Sequence, residues 1–344
     1  MKLPDVIDSE EQLDDLLTTP SQALVDACSK LSDPLIVLGA GGKMGPSLAV
    51  LARRAIEQAG ASVRVIAVSR FSNATSQDYL RARGVETHSA DVFDRRQLDA
   101  LPDSGNVVYL VGMKFGTSTD PTPTWATNTI APVHACERFA GARMVALSTG
   151  NIYPLCPVDS GGAVESASLT PVGEYPNAAV ARERIFQHYA KNNNTPTVLM
   201  RLNYAHDLHY GVLTDIAGKI WRGEPIDVIM GHFNAIWQGD ANEMILRSFA
   251  LCRSPAAAVN LTSPQIYAVR EVAQRLAELL DRPAIFTGQE APTALLSNTD
   301  VLQAELGNPR VGLEQMLLWI AHWTKRGGAT HGKPTHFQTR DGKF

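Results

Sequence analysis

The sequence predicts an α/β chain built on a doubly wound parallel sheet, and three observations carry that expectation. Short, wholly apolar runs recur, each of a length that suits a strand buried on both faces. Helical stretches separate them, in the alternation that right-handed crossovers require. A glycine-rich loop, Gly39-Ala40-Gly41-Gly42-Lys43-Met44-Gly45, joins the first apolar run to the first long helix.

The elements follow in order. Ser9 ahead of Glu10 and Glu11 reads as a capped, acidic helix start, and Pro20 opens a second helical stretch from Ser21 to Leu31. Residues 1–33 are therefore expected to form an N-terminal helical extension. The main domain, 34–202, begins with a strand over Pro34–Leu38 and a helix over Ser47–Ala59. A strand over Val63–Val68, a helix over Ser76–Arg83 and a short strand over Val85–Thr87 come next. Asn106–Val111 and Arg143–Leu147 read as strands, with a helix from Trp125 to Phe139 between them.

From Asn203 the alternation loosens. Leu213–Trp221, Ala241–Leu251 and Val269–Leu280 read as helices, and Pro225–Met230 as a β-like run. Residues 203–325 are expected to be mainly a smaller C-terminal substrate lobe, with some return to the core. Leu313, Met316, Leu317 and Ile320 recur at helical spacing and read as the packed face of one late helix, with Trp319 and Trp323 four apart on a neighbouring face; neither stripe implies a function. The tail, 326–344, holds Arg326, Lys333, Arg340 and Lys343 against the single acid Asp341. Phe337 and Phe344 offer it apolar anchors, so it is expected to dock on the body or on a partner subunit.

Composition narrows the class. The 344 residues hold 31 Lys and Arg against 35 Asp and Glu, a net charge of −4, which points away from nucleic acid and anionic membrane surfaces. Cys28, Cys136, Cys156 and Cys252 lie far apart without metal-ligand spacing, as expected of reduced, packed thiols. The acidic N-terminus lacks the apolar core of a signal peptide, and no apolar run is long enough to span a bilayer. A cytoplasmic protein is expected, with a small-molecule substrate, no nucleic acid or membrane partner, and a homodimer as its candidate assembly.

The glycine loop gives the first functional expectation. In a strand–loop–helix setting, Gly39 permits the tight turn, Gly42 lets the backbone approach a pyrophosphate, and Gly45 lets the helix pack close to the sheet. The helix start adds free N–H groups and a positive dipole end. This is the signature of a Rossmann unit holding NAD or NADP. NAD-binding units usually end the second strand on an acid for the ribose 2′-hydroxyl; this chain has Ser69-Arg70, which favours NADP, with NAD second. Asp91 after the third strand suits either an adenine contact or a helix cap.

Over roughly residues 34–325 these motifs resemble the extended short-chain dehydrogenase/reductase superfamily, in its NAD-dependent epimerase/dehydratase branch. The resemblance implies cofactor contacts from the loop, including Lys43 and Met44, and from Asp91-Val92 and Val111-Gly112. It implies a structural role for Asn128. Ser148-Thr149-Gly150-Asn151-Ile152-Tyr153 resembles the segment bearing the family's catalytic Ser or Thr, at Thr149, and Tyr175 matches the catalytic tyrosine. The family places a lysine four residues after that tyrosine; this chain has Ala179. Without an ammonium nearby the phenol ionises late, so another cation is needed, and Lys114 is the candidate.

Asn151 and Asn203 are expected to face substrate. Gly150 and Asn151 stand where the family's dehydratases carry an Asp-Glu pair, so elimination of water is not expected. Asp240 resembles a late family motif without its usual arginine, which points to a free sugar, sugar acid or similar polyhydroxylated compound rather than a sugar nucleotide. His206 and His209 form an HxxH pair, which with Asp207 could suggest a metal, but no third ligand is well placed and none is expected. The expected function is an NAD(P)-dependent oxidoreductase or epimerase, and the alternative is a non-catalytic NADP sensor of the same fold.

Overall fold

The computed structural model describes residues 3–72, 74–114, 116–117 and 119–343. Two short helices open it, α1 (Glu10–Thr18) and α2 (Gln22–Cys28), with the Ser9 and Ser21 hydroxyls accepting the backbone N–H of Gln12 and Leu24. Those bonds satisfy donors that a helix start leaves unpaired, which is why both helices begin there.

The core is a seven-stranded parallel sheet. Its strands are β1 (Leu35–Leu38), β2 (Val65–Ser69), β3 (Glu86–Ser89), β4 (Asn106–Tyr109), β5 (Arg143–Thr149), β6 (Thr197–Leu202) and β7 (Ala257–Leu261). The order is β7-β6-β5-β4-β1-β2-β3. Leu38 lies opposite Val68 on one side and Tyr109 on the other. All four β1 residues are fully buried, as an apolar run covered on both faces requires. Between β1 and β4 the strand order reverses, and in open α/β sheets the crevice beyond the strand ends at such a point receives ligands.

Helices α3 (Gly45–Gln58), α4 (Ala74–Ala82), α5 (Arg95–Asp99), α6 (Thr122–Arg138) and α7 (Glu174–Asn192) complete the crossovers. Helix α6 starts a turn earlier than the sequence suggested, because Pro123 suits the first turn of a helix. The remaining helices are α8 (Val212–Arg222), α9 (Gln238–Arg247), α10 (Val269–Leu280), α11 (Asp300–Leu306) and α12 (Leu313–Lys325).

The second half of the chain is shared between two bodies. Strand β7 joins the sheet edge beside β6, and α9 packs against α2 and α3. Helices α8, α10 and α12 instead form a separate apolar core that includes Ile216, Leu276, Trp319 and Trp323. Both tryptophans are buried there.

The tail lies on this second body. The Thr335 N–H and hydroxyl both donate to Asp215 Oδ2, at 2.7 and 2.5 Å. Arg340 donates to the Thr293 carbonyl and hydroxyl, each at 2.6 Å. Phe337 is buried; Phe344, the other expected anchor, lies outside the described residues. Among the described residues no helix is long and apolar enough to cross a membrane.

Candidate functional site

The glycine loop opens the larger cavity. Gly39 has φ +83°, and a Cβ there would lie 3.0 Å from the Leu110 carbonyl carbon. A Cβ at Gly45 would lie 2.5 Å from the Ala40 carbonyl oxygen. The turn and the close helix therefore both require glycine. Helix α3 starts without a side-chain cap; the Gly45 N–H donates to the Gly42 carbonyl at 3.2 Å and Pro46 has no N–H, which leaves that of Ser47 in the first turn.

The cavity in front of the loop measures about 780 Å³. Gly39, Gly42, Ser69, Arg70, Asp91 and Val92 line it, with Val111 and Gly112 on the opposite wall. Arg70 is exposed and makes no ion pair among the described residues. Asp91 does not cap α5: Asp94 does, accepting the N–H groups of Arg96 and Gln97, while Asp91 Oδ1 accepts that of Phe93. The closer carboxylate to the helix start took the cap and left Asp91 at the cavity.

Lys43, Met44 and Gly45, expected at the cofactor, do not line this cavity. Gly45 lies beneath the loop, and Lys43 and Met44 line a second pocket of about 210 Å³. That pocket also gathers Lys114, Thr149, Asn151 and Asn203, from three separate stretches of the chain. Thr149 ends β5, where its Oγ1 accepts the backbone N–H and side-chain amide of Asn151, at 3.2 and 3.0 Å. Its hydroxyl proton is left to donate into the pocket. Asn203 follows β6, its side-chain amide donating to the Leu295 carbonyl at 3.3 Å. Burial pushes the Lys114 ammonium down to about 8.

Lys43, His206 and Thr335 add polar groups to the lining. Lys43 Nζ donates to the carbonyls of Ala205 and Tyr210, at 3.2 and 3.3 Å, and lies 4.6 Å from the centre of the Tyr210 ring. Although the residue as a whole is exposed, crowding around the ammonium lowers its pKa, and Asp207 opposes that. His206 is fully buried with both ring nitrogens unpartnered among the described residues. Burial pushes it down to about 3, so it is neutral at ordinary pH. Thr335 reaches the pocket from the tail.

Tyr175 sits in the first turn of α7, buried, and is not among the residues lining either cavity. Ala179, one turn on, packs with Ile152 and Tyr153 in an apolar cluster. The cation on this face of α7 is Arg182, three residues beyond Ala179 and seven beyond Tyr175. It is 4 % exposed and makes no ion pair among the described residues. Its Nη1 donates to Asn128 Oδ1 at 2.8 Å and to the Val111 carbonyl at 3.4 Å. Asn128 in turn donates to the carbonyl of Met113 at 3.1 Å. A Cβ at Gly112 would lie 2.5 Å from Arg182 Nη1, so only glycine admits the guanidinium there. Sequence reasoning missed Arg182; its signal was the helical spacing from Tyr175.

Below Thr149, Ser148 donates to Glu183 at 2.6 Å, and Glu183 pairs with Arg201 at 2.7 Å, both nearly inaccessible. Arg201 also donates to the Tyr153 hydroxyl, which donates to Asn260. This network fixes the ends of β5 and β6. Asp240 lies outside the site. It is buried on α9, where it accepts from Arg310 and the Val311 N–H. The HxxH pair is not helical: His206 faces the small pocket while His209 bonds Glu10. Among the described residues no group of three His, Cys, Asp or Glu side chains could hold a metal.

A family model, the NAD dependent epimerase/dehydratase family, matches residues 35–227. Solved structures share the fold. A UDP-glucose 4-epimerase of Thermotoga maritima, with UDP-glucose, is 16% identical over 86% of this chain and 99% of its own, with a TM-score of 0.67. A dTDP-glucose 4,6-dehydratase of Bacillus anthracis, in complex with NAD, is 14% identical over 86% and 97%, at 0.71. A UDP-glucuronic acid 4-epimerase of Bacillus cereus, with UDP-glucuronic acid and NAD, is 15% identical over 85% and 99%, at 0.69. No curated protein matches the chain in sequence.

Proposed function

The chain belongs to the NAD dependent epimerase/dehydratase family, and from that premise we propose that it is a nicotinamide-dependent oxidoreductase or epimerase acting on a small sugar-like compound. The observation that carries this reading is the pair of cavities either side of the segment from Val111 to Lys114. Gly112 lines the 780 Å³ cleft and Lys114 the 210 Å³ pocket. In this reading residues 34–202 hold the cofactor, while 203–325 and the 326–344 tail shape the substrate side.

The cleft suits a dinucleotide. Its loop bears no side chain at the turn, the start of α3 has no side-chain cap, and Asp91 stands free of the helix cap. Arg70 without an ion pair supports NADP over NAD, because a guanidinium pairs with a 2′-phosphate. When bound, the nicotinamide would accept or supply a hydride.

The chain's own residues do the rest. Thr149 donates a hydrogen bond to the reacting substrate oxygen. Lys114 moves the proton at that oxygen, since an ammonium titrating near 8 is matched to acid–base work at ordinary pH. Arg182, through Asn128 and the Val111 carbonyl, holds the segment that carries Gly112 and Lys114. It supplies a fixed positive charge three residues beyond the place where the family has lysine. Asn151 and Asn203 orient the substrate. Tyr175 helps to build the start of α7 and serves as the second candidate for the proton.

The test is turnover of hydroxylated substrates with NADP(H), comparing the parent with Thr149→Val and Lys114→Met. Loss of turnover in both variants with cofactor affinity retained supports the reading. The sensor alternative draws on Ala179, whose apolar surroundings leave no cation at the family's position. NADP binding without turnover of any hydroxylated compound would favour it.

A further inference from the structure

The small pocket carries more positive charge than a neutral sugar needs. Lys43 and Lys114 both line it, and among the described residues no Asp or Glu does. Gly211 and Val212 line it as well, at the start of α8, which has no side-chain cap. An eleven-residue helix beginning there directs N–H groups and its positive dipole end at the cavity. Asp207 acts on Lys43 through space, but its Oδ1 is committed to the N–H groups of His209 and Tyr210, at 2.9 and 2.8 Å. Among the described residues Lys43 Nζ meets two carbonyls and an aromatic face, at 3.2 Å or longer. The fully buried His206, its ring nitrogens unpartnered among the described residues, adds a neutral group able to donate or accept.

Size limits the ligand. At about 210 Å³ the pocket falls below the roughly 300–1,000 Å³ usual for drug-sized ligands. Thr335 closes one wall from the tail, held by Asp215. A space of that size encloses a single small hydroxylated molecule.

We propose that the substrate is a small hydroxylated anion whose acidic group sits among the Lys43 ammonium, the Lys114 ammonium and the first turn of α8. Thr149, Asn151 and Asn203 then face its hydroxyl groups. This rests on the assignment of the 210 Å³ pocket to the substrate, and it narrows that assignment to acids. Two ammoniums on one pocket, with no carboxylate among the described lining residues, are answered most directly by a ligand of the other sign.

Isothermal titration tests it, with glucose, glucuronate, glucose 6-phosphate and UDP-glucose as probes, each with and without saturating NADP(H). Parent and Lys43→Met are compared; Lys43 is an exposed residue outside the two apolar cores, so the variant retains the fold. The expected result is that glucuronate or glucose 6-phosphate binds at least about tenfold tighter than glucose, and that Lys43→Met erases the preference. Whichever anion binds identifies the acidic group as carboxylate or phosphate. Three results would overturn the proposal: glucose binding as well as both anions, UDP-glucose binding tightest, or no anion binding at about 10 mM. A fourth is Lys43→Met weakening NADP(H) as much as the anion, which would give this ammonium to the cofactor. Failure of NADP(H) to bind would sink the functional reading instead, and the titrations without cofactor would still decide the anion.

Discussion

Replacing Lys114 by Met should make the protein more stable and nearly inactive. Burial takes the Lys114 ammonium from an ordinary 10.5 to about 8. A lysine whose folded pKa lies below its unfolded one costs stability at low pH, and the cost fades as pH rises between the two values. At about 1.36 kcal/mol per pH unit the drop corresponds to about 3 kcal/mol as an upper bound. Lys114 retains some exposure, and solvent screening reduces the expected gain to about 1–2 kcal/mol. Urea unfolding at about pH 6.5 should therefore find Lys114→Met the more stable protein, with the gap closing near pH 10. Turnover should fall by about a hundredfold or more, and the inflection near pH 8 in the parent's pH–rate profile should vanish. A variant less stable than the parent at low pH would refute the burial argument. A variant that keeps the inflection would refute the proton-carrying role, and a matching loss in Tyr175→Phe alone would return that role to the tyrosine.

Three more expectations follow from named contacts. Arg182→Met removes a charged hydrogen bond to Asn128, a contact of about 1.5–3 kcal/mol, so NADP(H) affinity should fall about tenfold or more; Arg182→Lys should restore part of it, and unchanged affinity in a calorimetric titration would remove Arg182 from the site. Arg70→Ala should weaken NADP(H) by about tenfold while NAD(H) stays within about twofold, and equal losses for both would show that Arg70 does not read the 2′-phosphate. Asp215→Ala should free the tail, so trypsin should cut after Arg340 about tenfold faster and KM should rise with cofactor affinity unchanged; an unaltered cleavage rate, followed by mass spectrometry, would show that the Thr335 bonds do not hold it.

The parts legible in the sequence were those encoded locally. The apolar run Leu35–Leu38 became the central strand because no other arrangement covers both its faces, and the loop after it became the cleft wall because its glycines admit the turn. Ser9 marked its helix start correctly, since a cap acts within a few residues, and Pro20 placed the second start within two residues. What stayed hidden depends on pairs distant in the chain. Asp240 resembled a substrate motif, yet its partner Arg310 lies 70 residues away. Thr335 comes from a tail whose charges and phenylalanines signalled docking but not where it would dock. Lys43 sits in the cofactor loop by sequence, but its long side chain reaches across to Ala205 and Tyr210. Asp91 and Asp94 are equally good caps by type, and only their distance from the helix start separates them.

The central claim is that the 780 Å³ cleft holds a nicotinamide dinucleotide. Calorimetric titration of the purified chain, stripped of any retained nucleotide, tests it most directly. The account predicts binding of one dinucleotide per chain, with NADPH tighter than NADH by about tenfold and the difference lost in Arg70→Ala. No binding of either nucleotide at about 1 mM would contradict it, whatever else the chain turns over.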